Sequence, residues 1–113
     1  MRAMTTLICG LLVLALPACI TEEVKEREKA DAYCYMIEQC QQGEYHACYD
    51  AATASLEGTL YAECRGAREL LLDCLGHLDC DEYLLWSESD PELDLVYPCR
   101  DQDQLEAVAC QNE

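Results

Sequence analysis

The chain has 113 residues, 23 of them Asp or Glu and only seven Lys or Arg, which gives a net charge of −16 and an isoelectric point near 4.2. A body of that sign repels nucleic acid and anionic lipid head groups alike, so nucleic-acid binding is excluded as a role. Ten cysteines with no Cys-x-x-Cys among them point away from zinc ribbons, thioredoxin-like redox sites and haem attachment, toward a disulfide framework.

Residues 1–18 read as a signal peptide. Arg2 and the amino terminus make a small positive start, and Leu7 to Leu16 is an apolar run of ten residues interrupted by Gly10. That run suits a signal-peptide core of ~7–15 residues and falls short of the ~20 that span a bilayer. At its end, Leu16-Pro17-Ala18-Cys19 resembles the lipobox of bacterial lipoproteins: an aliphatic residue, a variable one, a small one, then cysteine. The resemblance implies that a diacylglyceryl group is joined to the Cys19 sulfur, that the leader is cut before Cys19, and that the new amino group is acylated. Membrane attachment then comes through the lipid on Cys19, and two or more acyl chains hold stably where one does not. Ile20, not an aspartate, follows Cys19, which by the sorting rule of enteric bacteria favours the outer over the inner membrane. Ordinary cleavage after Ala18 is the competing reading, and it leaves nine cysteines in the mature chain with one unpaired at its terminus.

No Gly/Ser-rich tether follows. Residues 19–29 read as the lipidated terminus and the charged start of a first helix, with Glu23 and Arg27 at i,i+4 and Glu26 and Lys29 at i,i+3. Residues 30–113 read as one cysteine-rich helical domain. The first helix is predicted over about 22–41, with Ala30, Tyr33, Cys34, Ile37 and Cys40 on one face and Gln42-Gly43 at its end. A second is predicted over 45–56, turning Cys48, Ala51, Ala52 and Leu56 inward. From Thr59 the pattern resumes to Gly76, with Leu60, Cys64, Ala67, Leu71, Cys74, Leu75 and Leu78 in register. Gly66 costs that helix about 1 kcal/mol relative to alanine, and a close backbone or disulfide is expected beside it.

Asp79 and Glu82 read as a capping box, flanked by Leu78 and Tyr83 as a hydrophobic staple, and they open a short helix through Tyr83, Leu84, Leu85 and Trp86. Asp90-Pro91 suggests one further turn and Val96–Cys99 an extended stretch. Asp101 with Gln104 suggests a second capping box for a last helix that faces Leu105, Val108 and Ala109 inward. No stretch alternates like a strand. The predicted class is therefore all-α, a small disulfide-stapled bundle of four to five short helices. The arrangement is similar to small cysteine-rich helical lipoproteins of bacteria, which mostly lack an assigned activity.

Cys9 leaves with the leader and Cys19 carries lipid, so eight cysteines remain: Cys34, Cys40, Cys48, Cys64, Cys74, Cys80, Cys99 and Cys110. They read as four disulfides, with about 105 possible connectivities. Cys40 and Cys48 flank the Gly43 turn and are plausible partners across a helical hairpin.

The remaining chemistry is sparse. Cys74, His77 and Cys80 have metal-like spacing, but a disulfide-forming setting denies a metal its thiolates, and no metal or cofactor is expected. His46 and Cys48 stand two apart, which on a helix points them in different directions, a poor placement for a nucleophile and its base. Three acidic clusters (Asp79-Asp81-Glu82, Asp90-Glu92-Asp94 and Asp101-Asp103-Glu106) are oxygen-rich, but two of them lie where helix caps are wanted, and none has an EF-hand loop. No catalytic constellation stands out. The segment from Cys80 to Cys99 holds the only tryptophan and an apolar-acidic sequence. There Tyr83, Leu84, Leu85 and Trp86 are the candidate interaction surface, although Trp86 also suits the core of a chain without phenylalanine. The expected role is that of a lipid-anchored, non-catalytic structural or interaction protein of the bacterial envelope, with an unknown envelope protein as partner. The alternative is an acidic module for divalent cations or a basic partner.

Overall fold

Thr21 starts the first helix: its side chain accepts a hydrogen bond from the Val24 N–H at 3.3 Å. The computed structural model describes residues 21–112, so the leader and Cys19 lie outside the described residues. Five helices follow: α1 (Glu22–Gln39), α2 (Tyr45–Glu57), α3 (Ala62–Gly76), α4 (Cys80–Glu88) and α5 (Arg100–Ala109). There is no strand among the described residues, and the fold is an all-α, disulfide-stapled bundle. None of the described helices is long and apolar enough to cross a membrane.

The helices lie side by side in the order α2, α1, α3, α5, with only light contact between α2 and α3. Their directions follow from pairs that climb together. Glu26 meets Arg65, Lys29 meets Asp73, and Cys40 is bonded to Cys80, so α1 and α3 run parallel. Cys64 is bonded to Cys110 and Cys74 to Cys99, so α5 runs antiparallel to α3. Where α3 ends, a Cβ at Gly76 would stand 3.2 Å from the Tyr33 nitrogen, so glycine lets the backbones of α1 and α3 touch. Gly66, expected to admit a neighbour, has nothing within 4 Å of its missing Cβ.

The core is thin. It is drawn from Ala30, Cys34, Met36 and Ile37 of α1, Cys64, Ala67, Leu71 and Leu75 of α3, Leu56 of α2, and Tyr97 before α5. The largest fully buried side chains are Leu56, Cys34 and Cys64. Burying a leucine contributes about 2 kcal/mol, so covalent staples weigh heavily beside so few large apolar side chains.

Glu26 is buried at 4% exposure in the α1–α3 contact. It accepts both Nε and Nη2 of Arg65 at 2.7 Å, a bidentate pair that holds the guanidinium proton even more tightly than usual. The local pairs expected along α1 give way to cross-helix ones, because Glu26 and Lys29 face α3 and reach Arg65 and Asp73 there. Along α1 itself, Lys25 pairs with Glu22.

All eight body cysteines are paired: Cys34–Cys48, Cys40–Cys80, Cys64–Cys110 and Cys74–Cys99. The expected Cys40–Cys48 bridge is not made. Antiparallel neighbours match positions about equally far from their turn. Cys48, one turn into α2, therefore meets Cys34, a turn and a half back from the end of α1, while Cys40, at the C-cap of α1, is left for Cys80.

Four boundary expectations also change. Helix α1 ends at Gln39, and Gln41 takes a left-handed φ of 56° that breaks the helix. Residues 58–61 form a turn instead of starting α3. The N–H of Thr59 is bonded to Leu56, its hydroxyl donates to the Ser55 carbonyl, and it accepts from Arg68, which leaves Leu60 at the tip with 86% exposure. Val96–Cys99 ends in a left-handed Cys99 at φ 58°, which is the N-cap of α5 and gives no side-chain cap. The predicted Asp101–Gln104 box is absent, and Gln104 instead accepts from Arg100.

The inward face of α5 differs too. Leu105 and Val108 are exposed at 47% and 65%, while Gln102, Asp103, Glu106 and Ala109 are half-buried. Cys99, Asp103, Glu106 and Cys110 fall on one stripe at helical spacing. The two bridges at its ends lock that stripe against α3 and turn the apolar residues out.

Candidate functional site

The capping box opens α4 as expected: Asp79 accepts from the Glu82 N–H at 2.8 Å, and Glu82 accepts from the Asp79 N–H at 3.0 Å. The helix is joined to α1 by the Cys40–Cys80 bridge and by its rings. Tyr83 leans on Tyr33 at a centroid distance of 6.4 Å and on Trp86 at 5.8 Å. None of the α4 side chains is buried. Trp86, considered above for the core, is half-buried at the edge, because α4 packs along only one side. The four candidate interaction residues divide accordingly. Tyr83 and Trp86 turn toward the body, and Leu84 and Leu85 are exposed at 37% and 56%.

Beyond α4 the chain turns at Asp90, whose carboxylate accepts from the Glu92 N–H at 2.9 Å, while Asp94 accepts from the Asp90 N–H at 2.8 Å. Tyr97 is buried, and its hydroxyl donates to Asp103 at 2.9 Å. Between these fixed points Leu93, Leu95 and Val96 project outward, at 79%, 72% and 91% exposure. Two carboxylates of this loop are tied to backbone while its apolar side chains meet solvent, the reverse of an ordinary surface loop. The sequence flagged the segment but not these three residues. The available signal was an apolar trio in a short stretch bounded by Pro91 and Pro98, too short to build a helix or a paired strand that would bury it.

Beside Tyr83 lies an open groove of about 540 Å³. Its floor is Ala47, Ala51 and Ala52 with Cys48, its walls include Tyr33, Tyr83, Ile37 and Leu72, and Gln42 and Glu44 stand at its rim. Small side chains on α2 create the hollow, since α2 scarcely touches α3. Glu44 caps α2 by accepting from the Ala47 and His46 N–H groups, which hold its carboxyl below the usual range. A carboxylate committed to capping, tyrosine hydroxyls and alanines supply no nucleophile and base.

The remaining constellations dissolve in the structure. Cys74 and Cys80 are bonded to different partners, so neither is a thiolate beside His77, and Cys48 is bonded to Cys34, away from any exchange with His46. His77 Nδ1 lies 2.7 Å from the Asp73 carbonyl oxygen. The acidic clusters serve as caps and partners: Asp79 and Glu82 in the box, Asp90 and Asp94 in the loop, Asp103 under Tyr97.

Three tyrosines hold their protons beyond the ordinary value near 10. Tyr33 is raised by burial first and by its hydrogen bond with Tyr83 second. Tyr45 is pushed up to about 12 by its hydrogen bond to Asp31. Tyr97 is raised by burial and then by Asp103. Each is neutral in the folded state at a pH where the unfolded chain releases the proton, so their contribution is fully present below about pH 10. Stability is expected to fall as pH rises from about 10 to about 12, followed by urea midpoints at each pH. Tyr45→Phe and Tyr97→Phe together should flatten that fall, and an unchanged slope would count against this origin.

No protein-family model, no curated protein and no solved structure matches the chain.

Proposed function

We propose that the chain is a lipid-anchored, non-catalytic protein of the bacterial envelope, held in the outer membrane by lipid on Cys19. From there it docks another envelope protein on the segment from Tyr83 to Val96. One observation carries the docking role: Leu84, Leu85, Leu93, Leu95 and Val96 are all exposed in the segment that the Cys40–Cys80 and Cys74–Cys99 bridges tie to the end of the body where α1 and α3 finish, opposite the start of α1 at Thr21. Helix α1 has 18 residues, so about 27 Å of helix separates its anchored start from that end. A leucine-rich surface presented away from a membrane suits a partner with an apolar groove. The acids Asp81, Glu88, Glu92 and Asp94 around it call for Lys and Arg on the partner's rim.

The complete pairing of the eight body cysteines supports the anchor, because it leaves Cys19 no partner among them and frees its sulfur for lipid. The alternative, a divalent-cation module, is weaker: several of the clustered carboxylates already serve backbone N–H groups or Tyr97, and no metal-holding group of three ligands occurs among the described residues.

The test is crosslinked capture from intact envelopes by the native chain and by Leu93→Asp/Val96→Asp. The expected result is one partner captured by the native chain and lost by the variant, whose stability changes by no more than about 0.5 kcal/mol, as at ordinary surface sites. Equal capture by both removes the docking surface from the proposal. In parallel, Cys19→Ala should yield a chain without acyl mass.

A further inference from the structure

A second exposed apolar cluster sits at the opposite end of the body. Val24 lies in the first turns of α1, Leu60 and Tyr61 just before α3, and Val108 near the end of α5, exposed at 42%, 86%, 55% and 65%. Contacts between their near neighbours bring them to one end: Glu26 is paired with Arg65, and Cys64 is bonded to Cys110 with 4.7 Å between Cα atoms. Leu60 is not carried on a slack loop. Thr59, itself buried, is bonded to Leu56, Ser55 and Arg68, so the turn that carries the exposed Leu60 is braced.

Only Ile20 separates Cys19 from Thr21, which already caps α1. We infer that this end seats in the lipid interface, with Leu60, Tyr61, Val24 and Val108 entering the head-group region so that the bundle stands on the membrane with the Leu93–Val96 loop outermost. The inference rests on the lipid at Cys19 proposed above. With one residue of slack, an anchor at Cys19 brings the first turn of α1, and everything beside it, to the bilayer surface. A tyrosine beside a leucine suits that depth, with an apolar body inside and a hydroxyl at the water boundary. Glu22, Glu23, Glu57 and Glu63 share this end, so the seating is apolar and not an attraction to anionic lipid, and added salt should not release it.

The native chain has a single tryptophan, Trp86, away from this end beside Tyr83 and Tyr33. The processed protein is reconstituted into phosphatidylethanolamine/phosphatidylcholine vesicles carrying bromine on their acyl chains, and tryptophan emission is compared with unbrominated vesicles. Leu60→Trp and, separately, Val108→Trp are placed in a Trp86→Phe background, each checked for native helicity. Tryptophan at 60 and at 108 should shift to the blue and lose most of its intensity to bromine, unchanged by salt, while Trp86 of the native chain loses none. Quenching of Trp86 alone, or of all three positions, overturns the upright seating. Protein that floats with the vesicles but is quenched nowhere overturns the seating and leaves the anchor standing. Protein that carries no acyl mass and does not float removes both.

Discussion

Replacing Cys64 and Cys110 together by serine is expected to lower the unfolding free energy by about 4 kcal/mol, the loop-entropy value for a bridge of this span. The bridge joins residues 46 apart and fastens the last turn of α5 to the first turn of α3. Apart from the Cys74–Cys99 bridge at its other end, helix α5 has little else to hold it. None of its side chains is buried, Leu105 and Val108 face outward, and its stripe toward α3 includes Asp103 and Glu106. The Cys34–Cys48 bridge spans only 14 residues between helices that also pack on one another. Its removal should cost about 3 kcal/mol. Urea unfolding of the two paired-serine variants, with the other bridges intact, measures both. A loss below about 1 kcal/mol for the longer bridge would mean that the Cys74–Cys99 bridge and packing suffice to dock α5, contrary to its exposed apolar face.

The second large effect belongs to Arg65. Arg65→Met leaves the Glu26 carboxylate inside the α1–α3 contact without its bidentate partner. Breaking a buried pair costs about 3–5 kcal/mol. Arg65 itself is partly exposed, so the lower end of that range, about 3 kcal/mol, is expected. The informative comparison is Glu26→Leu/Arg65→Met. With both charges gone and apolar side chains of similar size in their place, most of the lost stability should return. Denaturation of the single and double variants gives the coupling directly. If the double variant is no more stable than Arg65→Met, then Arg65 stabilises through the packing of its stem and not through Glu26.

The helices were legible in the sequence because their information is local. Periodicity placed Ala30, Cys34 and Ile37 on one buried face and Cys64, Ala67, Leu71 and Leu75 on another, and the Asp79–Glu82 box opened α4 where expected. What depended on distant residues was not legible. Glu26 had a good local partner in Lys29, and only the parallel docking of α3 offered a better one in Arg65. The rotation of α5 followed its two bridges and not its hydrophobic face, so Leu105 and Val108 were assigned to the wrong side. The candidate site was half visible. Leu84 and Leu85 carried a helical pattern, whereas Leu93, Leu95 and Val96 carry none, and the alanine-floored groove exists only because α2 and α3 stand apart.

The pairing of the cysteines has a consequence for how this protein is made. In chain order the bridges join the first and third, second and sixth, fourth and eighth, and fifth and seventh body cysteines. No native bridge links neighbours in that order. A chain oxidised as it emerges from its amino end therefore meets a wrong partner first at every step: Cys40 follows Cys34, and Cys80 follows Cys74. Cys64 cannot find its mate until Cys110, 46 residues later, has appeared. Maturation must then proceed either by delaying oxidation until the helices have docked or by thiol exchange among early mispairs, a process of seconds to hours. The order of the cysteines along the chain thus sets how the bundle is reached, separately from how stable it is once formed.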